Sequence, residues 1–342
     1  MTSGPSFAAA VALPGLWLAI LNCGCPPEAA AQRITVSVEA ETAADLELAR
    51  RFAPFLFQET DRKGGRQDLP ANVDFDGDLR GDNNWESFPG HTLVPTLYYA
   101  VVETETHWFL SYHVFHPRDW SCVRLGLQDV HENDGENLQV VVRKSTGRPE
   151  LLFTQAHYRG RIHERFRIEE ETHPCVFVQT KGHGLYAIPS DCARIDESLR
   201  FRSGSGILLR PAGNETCREP EDWTQGVVPY RLESTVRKFW RRLPELCGDG
   251  RLFDGIVELR RLGHRFRIPR YYDGDLFSGP LGNDRGISPF ALDVSFCSGK
   301  VGSLLIDPAN RYPELVGPSL NWSRTYVRNP FLEDGGERSH AE

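Results

Sequence analysis

The 342-residue chain has no Lys or Arg before Arg33 and no basic run of the kind that supports nucleic-acid binding. Its formal charge of −8 and sequence pI near 5.8 exclude general attraction to polyanions, so no nucleic-acid partner is expected. The patterns G-x-S-x-G and H-E-x-x-H are missing. No phosphate-cradling loop is present either, since SGSGILLR (203–210) lacks the Lys and the helix signals such a loop needs. There is no internal repeat and no low-complexity linker. The leading apolar run, FAAAVALPGLWLAIL (7–21), is too short and too interrupted by Pro and Gly to span a bilayer well.

That run lies where the apolar region of a secretory signal would lie, and Ala29-Ala30-Ala31 offers a cleavage pattern before Gln32. Residues 1–31 are therefore read as a signal peptide. The protein is expected to be secreted or cell-envelope associated, with no transmembrane segment in the mature chain. Lipoprotein anchoring at Cys23 is the weaker reading, because Asn22 replaces a small residue there. Past the signal stand Cys122, Cys175, Cys192, Cys217, Cys247 and Cys297, an even set without a CxxC pair, which suits disulfide staples better than structural zinc. Cys175 with Cys192 and Cys217 with Cys247 are the local pairings the spacing suggests.

With 40% hydrophobic residues the chain can bury a real core. The spacing in ETAADLELARRFAPFLF (41–57) predicts one amphipathic helix ending around Pro54, and STVRKFWRRLPELCG (234–248) a second. Between them β-type segments recur at 93–102, 107–116, 136–144, 150–158 and 175–182, separated by Gly, Pro and Asp. The expected fold is mainly β, an antiparallel β-sandwich with a few peripheral helices, in one elaborated domain over 32–332. If the chain divides, the break falls near residue 200. Residues 333–342 read as a disordered tail.

Charge is concentrated in HENDGENLQVVV (131–142), which runs from a histidine and three acidic side chains into an apolar strand. On a strand Asp134 and Glu136 share a face, and a bend at Asn133 would bring His131 round to join them. Mixed imidazole and carboxylate ligands of this kind suit Mg²⁺, Mn²⁺, Zn²⁺ or Fe²⁺, and Ca²⁺ less well. The alternative is a solvated polar turn. His157 at a strand end and His183 between two glycines are further candidate ligands, with His116 and Asp119 in HPRDW as supporting groups. A second acidic stretch, VDFDGDLRGDNNWE (73–86), sets Asp74, Asp76, Asp78 and Asp82 at the alternate spacing of a calcium loop, though Leu79 and Trp85 break the EF-hand pattern. The other reading of this stretch is a surface loop whose side chains cap turns.

The pieces LSYHVFHPRDW, HENDGENLQVVV, LLFTQAHYRG and VFVQTKGHGLYA resemble, in order, motifs of a plant and fungal family named after a vacuolar protein sorting factor. The H-x-x-D-x-E core is also similar to the GHRHDWE heptad of the necrosis-inducing toxins, with Val130 and Gly135 in place of its glycine and tryptophan. The resemblance covers roughly 50–190. It implies a β-sandwich with a divalent cation on its rim and, in the toxins, engagement of sphingolipid head groups. By position, His131, Asp134 and Glu136 match the heptad's ligand-bearing residues, His157 the histidine of S-Q-H and His183 that of G-S-H-A. The expected function is cation-dependent recognition of an anionic or polyhydroxylated surface ligand, a lipid head group or a glycan. The alternative is a metal-dependent hydrolase of phosphoester or glycosidic bonds, with His157 or His183 moving protons.

Overall fold

The structure, a computed structural model, describes residues 38–120, 122–123, 127–128, 130–156, 159–191, 205–246, 251–252, 256–261, 264–269, 303–317 and 320–333. The signal region, His157, Cys192, Cys247, Cys297 and the tail beyond Glu333 lie outside these residues, as does the side chain of His131. Everything below concerns the compact unit Val38–Glu342.

Helix α1 (Val38–Arg51) buries Ala49 at its end, and Phe52 follows into the core while Arg50 and Arg51 face solvent. A helix end leaves carbonyls without intrahelical partners. Here the core supplies donors for this chain turn: the Tyr112 hydroxyl donates to Ala49 O at 2.7 Å and the Tyr230 hydroxyl to Pro54 O at 2.7 Å. The second predicted helix is instead three short pieces, Thr235–Lys238, Trp240–Arg242 and Leu243–Leu246. Pro330–Glu333, at the edge of the expected tail, is helical.

Among the described residues sixteen strands follow one another as β1 (Phe55–Glu59), β2 (Thr96–Thr104), β3 (His107–Asp119), β4 (Cys122–Val123), β5 (Leu127–Gln128), β6 (Val130–Arg143), β7 (Arg148–Ala156) and β8 (Arg159–His163), then β9 (Ile168–Glu169), β10 (His173–Val178), β11 (Leu185–Ala187), β12 (Gly206–Pro211), β13 (Val227–Ser234), β14 (Ile256–Arg261), β15 (His264–Pro269) and β16 (Tyr326–Arg328). Fourteen join one sheet with the path β11-β10-β1-β12-β13-β2-β3-β6-β14-β15, while β4 and β5 form a separate ribbon.

The fold is mainly β, as expected, but the sheet is mixed. β1 with β10, β12 with β13, and β13 with β2 pair in parallel. Alternation of side chains gives faces, whereas direction is set by how long a connection is and where it returns, which short β-type segments do not disclose. β2 and β3 are buried nearly from end to end. Near-continuous burial means both sheet faces are covered, and Tyr98, Phe109, Tyr112, Phe115 and Phe153 fill the core on either side.

Neither expected local disulfide forms, because Cys175 and Cys217 are free thiols. Cys175 packs with Phe55 and Ile188 in a small second core, where burial pushes its thiol up to about 12, so it serves as a small apolar residue.

Candidate functional site

The acidic stretch does not stand at a strand entrance. It lies inside β6, paired residue by residue with the end of β3: His116 opposite Asp134, Val114 opposite Glu136, Arg118 opposite Glu132 and Asp119 opposite His131. Asp134 and Glu136 therefore share one face with His116, and both are essentially fully buried, as is His116. The bend expected at Asn133 is present, with φ of 61°, a left-handed conformation that non-glycine residues seldom adopt. Asn84 Nδ2 donates to Asn133 Oδ1 at 2.5 Å, and Trp85 N donates to Glu132 Oε2 at 3.0 Å, so the helix Asn84–Ser87 fastens this bend.

His183 completes the cluster from a loop after β10. That loop closes through Gln179 N donating to Gly184 O at 3.1 Å, and it carries Lys181 at φ 74° and His183 at φ 46°. Such backbone costs about 1–3 kcal/mol per residue and persists where surrounding contacts over-determine it. Here they do. His183 Nδ1 lies 2.6 Å from Asp134 Oδ2, its Nε2 lies 3.4 Å from Asp68 Oδ1, and its ring stacks on His116 with centroids 3.7 Å apart.

Asp68 is the residue the sequence reading missed. Fully buried, it accepts from Asp61 N, Thr180 Oγ1, Lys181 N and Trp120 Nε1 at 2.8, 2.8, 2.8 and 3.2 Å. It thus holds the strained loop and the indole of Trp120 in place. Nothing in the run GRQDLP marks it, because three of its four donors, on Trp120, Thr180 and Lys181, lie far away in the sequence.

Burial opposes charge on His183, yet the hydrogen bonds and negative charges of Asp134 and Asp68 outweigh it and push the imidazole up to about 10. The array is accordingly an imidazolium between two carboxylates. Burial, and next to it the charge of His183, drives His116 the other way, well below the usual imidazole range. Although the Leu69 backbone runs alongside, neither ring nitrogen of His116 makes a well-formed hydrogen bond. Two orphaned imidazole nitrogens beside buried carboxylates match the donor chemistry of a divalent cation. Among the described residues, however, no three His, Cys, Asp or Glu side chains converge as a ready metal cage.

On the opposite face of the same strands His113 Nδ1 contacts Asn137 Oδ1, and Asn137 Nδ2 donates to Gln155 Oε1 at 2.7 Å. Asn137 lies on the face away from Asp134 and is fully buried in this chain of polar groups.

The acidic loop carries its own partners. Lys238 Nζ lies 2.7 Å from Asp74 Oδ2, and Arg80 Nη2 lies 3.0 Å from Asp82 Oδ1. Asp76 and Asp78 accept from backbone N–H groups of Asp78 and Arg80 at 3.3 and 2.8 Å, the turn-capping arrangement, with Gly77 at φ 93°.

No family model matches the chain, the vacuolar-sorting-related family included, and no curated protein matches it. Among solved structures, a remote structural similarity runs to the necrosis-inducing toxins. One similar structure, described as a toxin fold for microbial attack and plant defense, has 17% identity and a TM-score of 0.29, over 41% of this chain and 66% of the other. Necrosis and ethylene inducing protein 2 from the causal agent of cocoa's witches' broom disease has 14% identity and a TM-score of 0.33, over 58% of this chain and 78% of that one. A third, NLPPya in complex with glucosamine, has 19% identity and a TM-score of 0.29, over 41% of this chain and 66% of that one. The chain thus spans just under two thirds of the first of these relatives.

Proposed function

We propose that this is an exported protein in which a divalent cation, held on the Asp134 face of β3 and β6, recognises an anionic or polyhydroxylated surface ligand. The observation that carries the reading is the buried Asp134–His183 contact at 2.6 Å beside His116, whose ring nitrogens make no well-formed hydrogen bond. Asp134 and Glu136 would offer carboxylate oxygens and His116 its imidazole nitrogens, and His183 would join them only by giving up the proton it holds between Asp134 and Asp68. His131 enters β6 beside them, and Asp119 sits opposite it in register. A bound cation would supply a positive centre to be completed by ligand oxygens. The surface above fits such a ligand. The half-buried Trp85 bonds Glu132 through its backbone N–H and the half-buried Trp120 bonds Asp68 through its indole, and both rings carry cations, those of Arg118 and Lys181, at 4.3 and 4.9 Å. Indole faces suit sugar rings and the cations suit anions.

The test is metal analysis of purified protein together with titration of glucosamine, the sugar held by one of the similar structures, in the presence and absence of metal. Stoichiometric metal, lost in Asp134→Ala together with sugar or anionic-lipid binding while the fold remains, is the expected result. Wild-type metal affinity in Asp134→Ala would reduce the cluster to an internal ion array.

A further inference from the structure

A second site lies at the other end of β1 and β10. The two strands run parallel, with Phe55 opposite Cys175 and Gln58 opposite Val178, so the His183 loop leaves one end while His173 and Phe55 mark the other. There the last turn of α1 and the end of β12 enclose a cleft of about 740 Å³. Its lining combines an apolar floor of Leu46, Phe55 and Pro211 with walls that include Arg50, Arg51 and Arg210; the Arg210 guanidinium lies over the Phe55 ring and that of Arg51 over the neighbouring Phe52 ring at 5.2 Å.

The walls are built rather than incidental. His173 stacks on Phe55 with centroids 4.6 Å apart and planes 12° from parallel, and its Nδ1 is fixed 2.7 Å from Ala53 O. Arg210 lies 4.8 Å over the same Phe55 ring and is paired with Glu170, whose backbone is held at φ 48°. Arg50 and Arg51 are exposed, and no ion pair among the described residues neutralises them. Glu47 and Glu170 are the carboxylates on the rim, so the three arginines leave the cleft net positive. Guanidinium forks match carboxylate and phosphate oxygens two at a time, which a point charge cannot do.

From this geometry we propose that the cleft binds a small organic anion, placing its phosphate or carboxylate between Arg50 and Arg51 and an apolar or ring body against Phe55 and Leu46. Nothing in this assignment depends on a cation at Asp134. Ligand entry leaves Arg210 on Glu170 and His173 on Ala53, and asks only that Arg51 turn its guanidinium from the Phe52 ring, over which it lies at 5.2 Å, towards Arg50.

Calorimetric titration of the full chain with phenyl phosphate, inorganic phosphate and phenol tests each half of the site. The expected result is saturable binding of phenyl phosphate, about tenfold weaker binding of inorganic phosphate and no binding of phenol. The double variant Arg50→Ala/Arg51→Ala, at exposed positions, should weaken phenyl phosphate by about tenfold or more with an unchanged melting temperature. Absence of saturable phenyl phosphate binding, or unaltered affinity in the double variant, would overturn the assignment. Equal affinity for phosphate with and without the ring would overturn the role of the apolar floor. Should the double variant also melt lower, Arg50→Lys with Arg51→Lys separates the causes: retained melting temperature with weakened binding supports the fork, and full-strength binding refutes it.

Discussion

β1 and β10 carry two polar regions, one at each end, and these are organised in opposite ways. At the His183 end charges are buried and directed at each other, with Asp134, His183 and Asp68 within 2.6 to 3.4 Å and effectively no solvent contact. At the His173 end the arginines stay exposed, and order is supplied by stacking on Phe55. Removing two charges from water is repaid only when geometry and extra hydrogen bonds are good, so the first region admits a new group only by replacing a partner. The second can accept one at the cost of no more than the Arg51 contact with the Phe52 ring.

The largest way to break this contrast is His183→Ala, which leaves Asp134 and Asp68 buried without their shared cation. Loss of about 3–5 kcal/mol is expected in denaturant unfolding of metal-free protein, whereas Arg50→Ala should stay within about 0.5 kcal/mol. Equal effects would show that the two ends are energetically alike. Next comes Gly64→Ala. A Cβ there would run into the Trp120 ring, and Trp120 is tied to Asp68, so overpacking of about 1–3 kcal/mol should appear together with altered tryptophan fluorescence.

A pH series sharpens the comparison further. His183 is raised from 6.5 to about 10, so its contribution to metal-free stability is fully present below pH 6.5 and declines as pH rises through about 10. The melting temperature of wild type should fall across that interval, and the decline should be smaller in His183→Ala. The smallest effect belongs to the acidic loop. If calcium binds there, it stabilises the native state by mass action, but it must compete with Lys238 at Asp74 and Arg80 at Asp82. A slight rise in melting temperature with Ca²⁺, absent in Asp76→Asn/Asp78→Asn, is the outcome that identifies the site.

Much of the fold was legible because local pattern and tertiary environment agree. The apolar spacing that ends α1 and the aromatic and β-branched runs of β2, β3 and β6 form the elements expected of them. Strand direction was not legible, since β12 and β13 look the same in either orientation and only the return path of residues 212–226 makes them parallel. Within the site, the shared face of Asp134 and Glu136 follows from period-two alternation, and the Gly-His-Gly run announces a bend at His183. Asp68 and Asn84 carry no such mark, because the partners that tie them into the site, Thr180 and Asn133, lie 112 and 49 positions away. Cys175 misled through its spacing: an apolar neighbourhood, not a second sulfur, explains its position.

The two tyrosines at the end of α1 have a kinetic consequence. Tyr112 belongs to β3 and Tyr230 to β13, so their hydroxyls bind the turn after α1 to two different central strands. Fraying of this turn would strip two buried hydroxyls of their acceptors at once, and local opening is governed by such losses. Backbone amides from Ala49 to Phe55 should therefore exchange with deuterated solvent on the timescale of the central strands rather than that of a peripheral helix, making α1 and the sheet one cooperative unit.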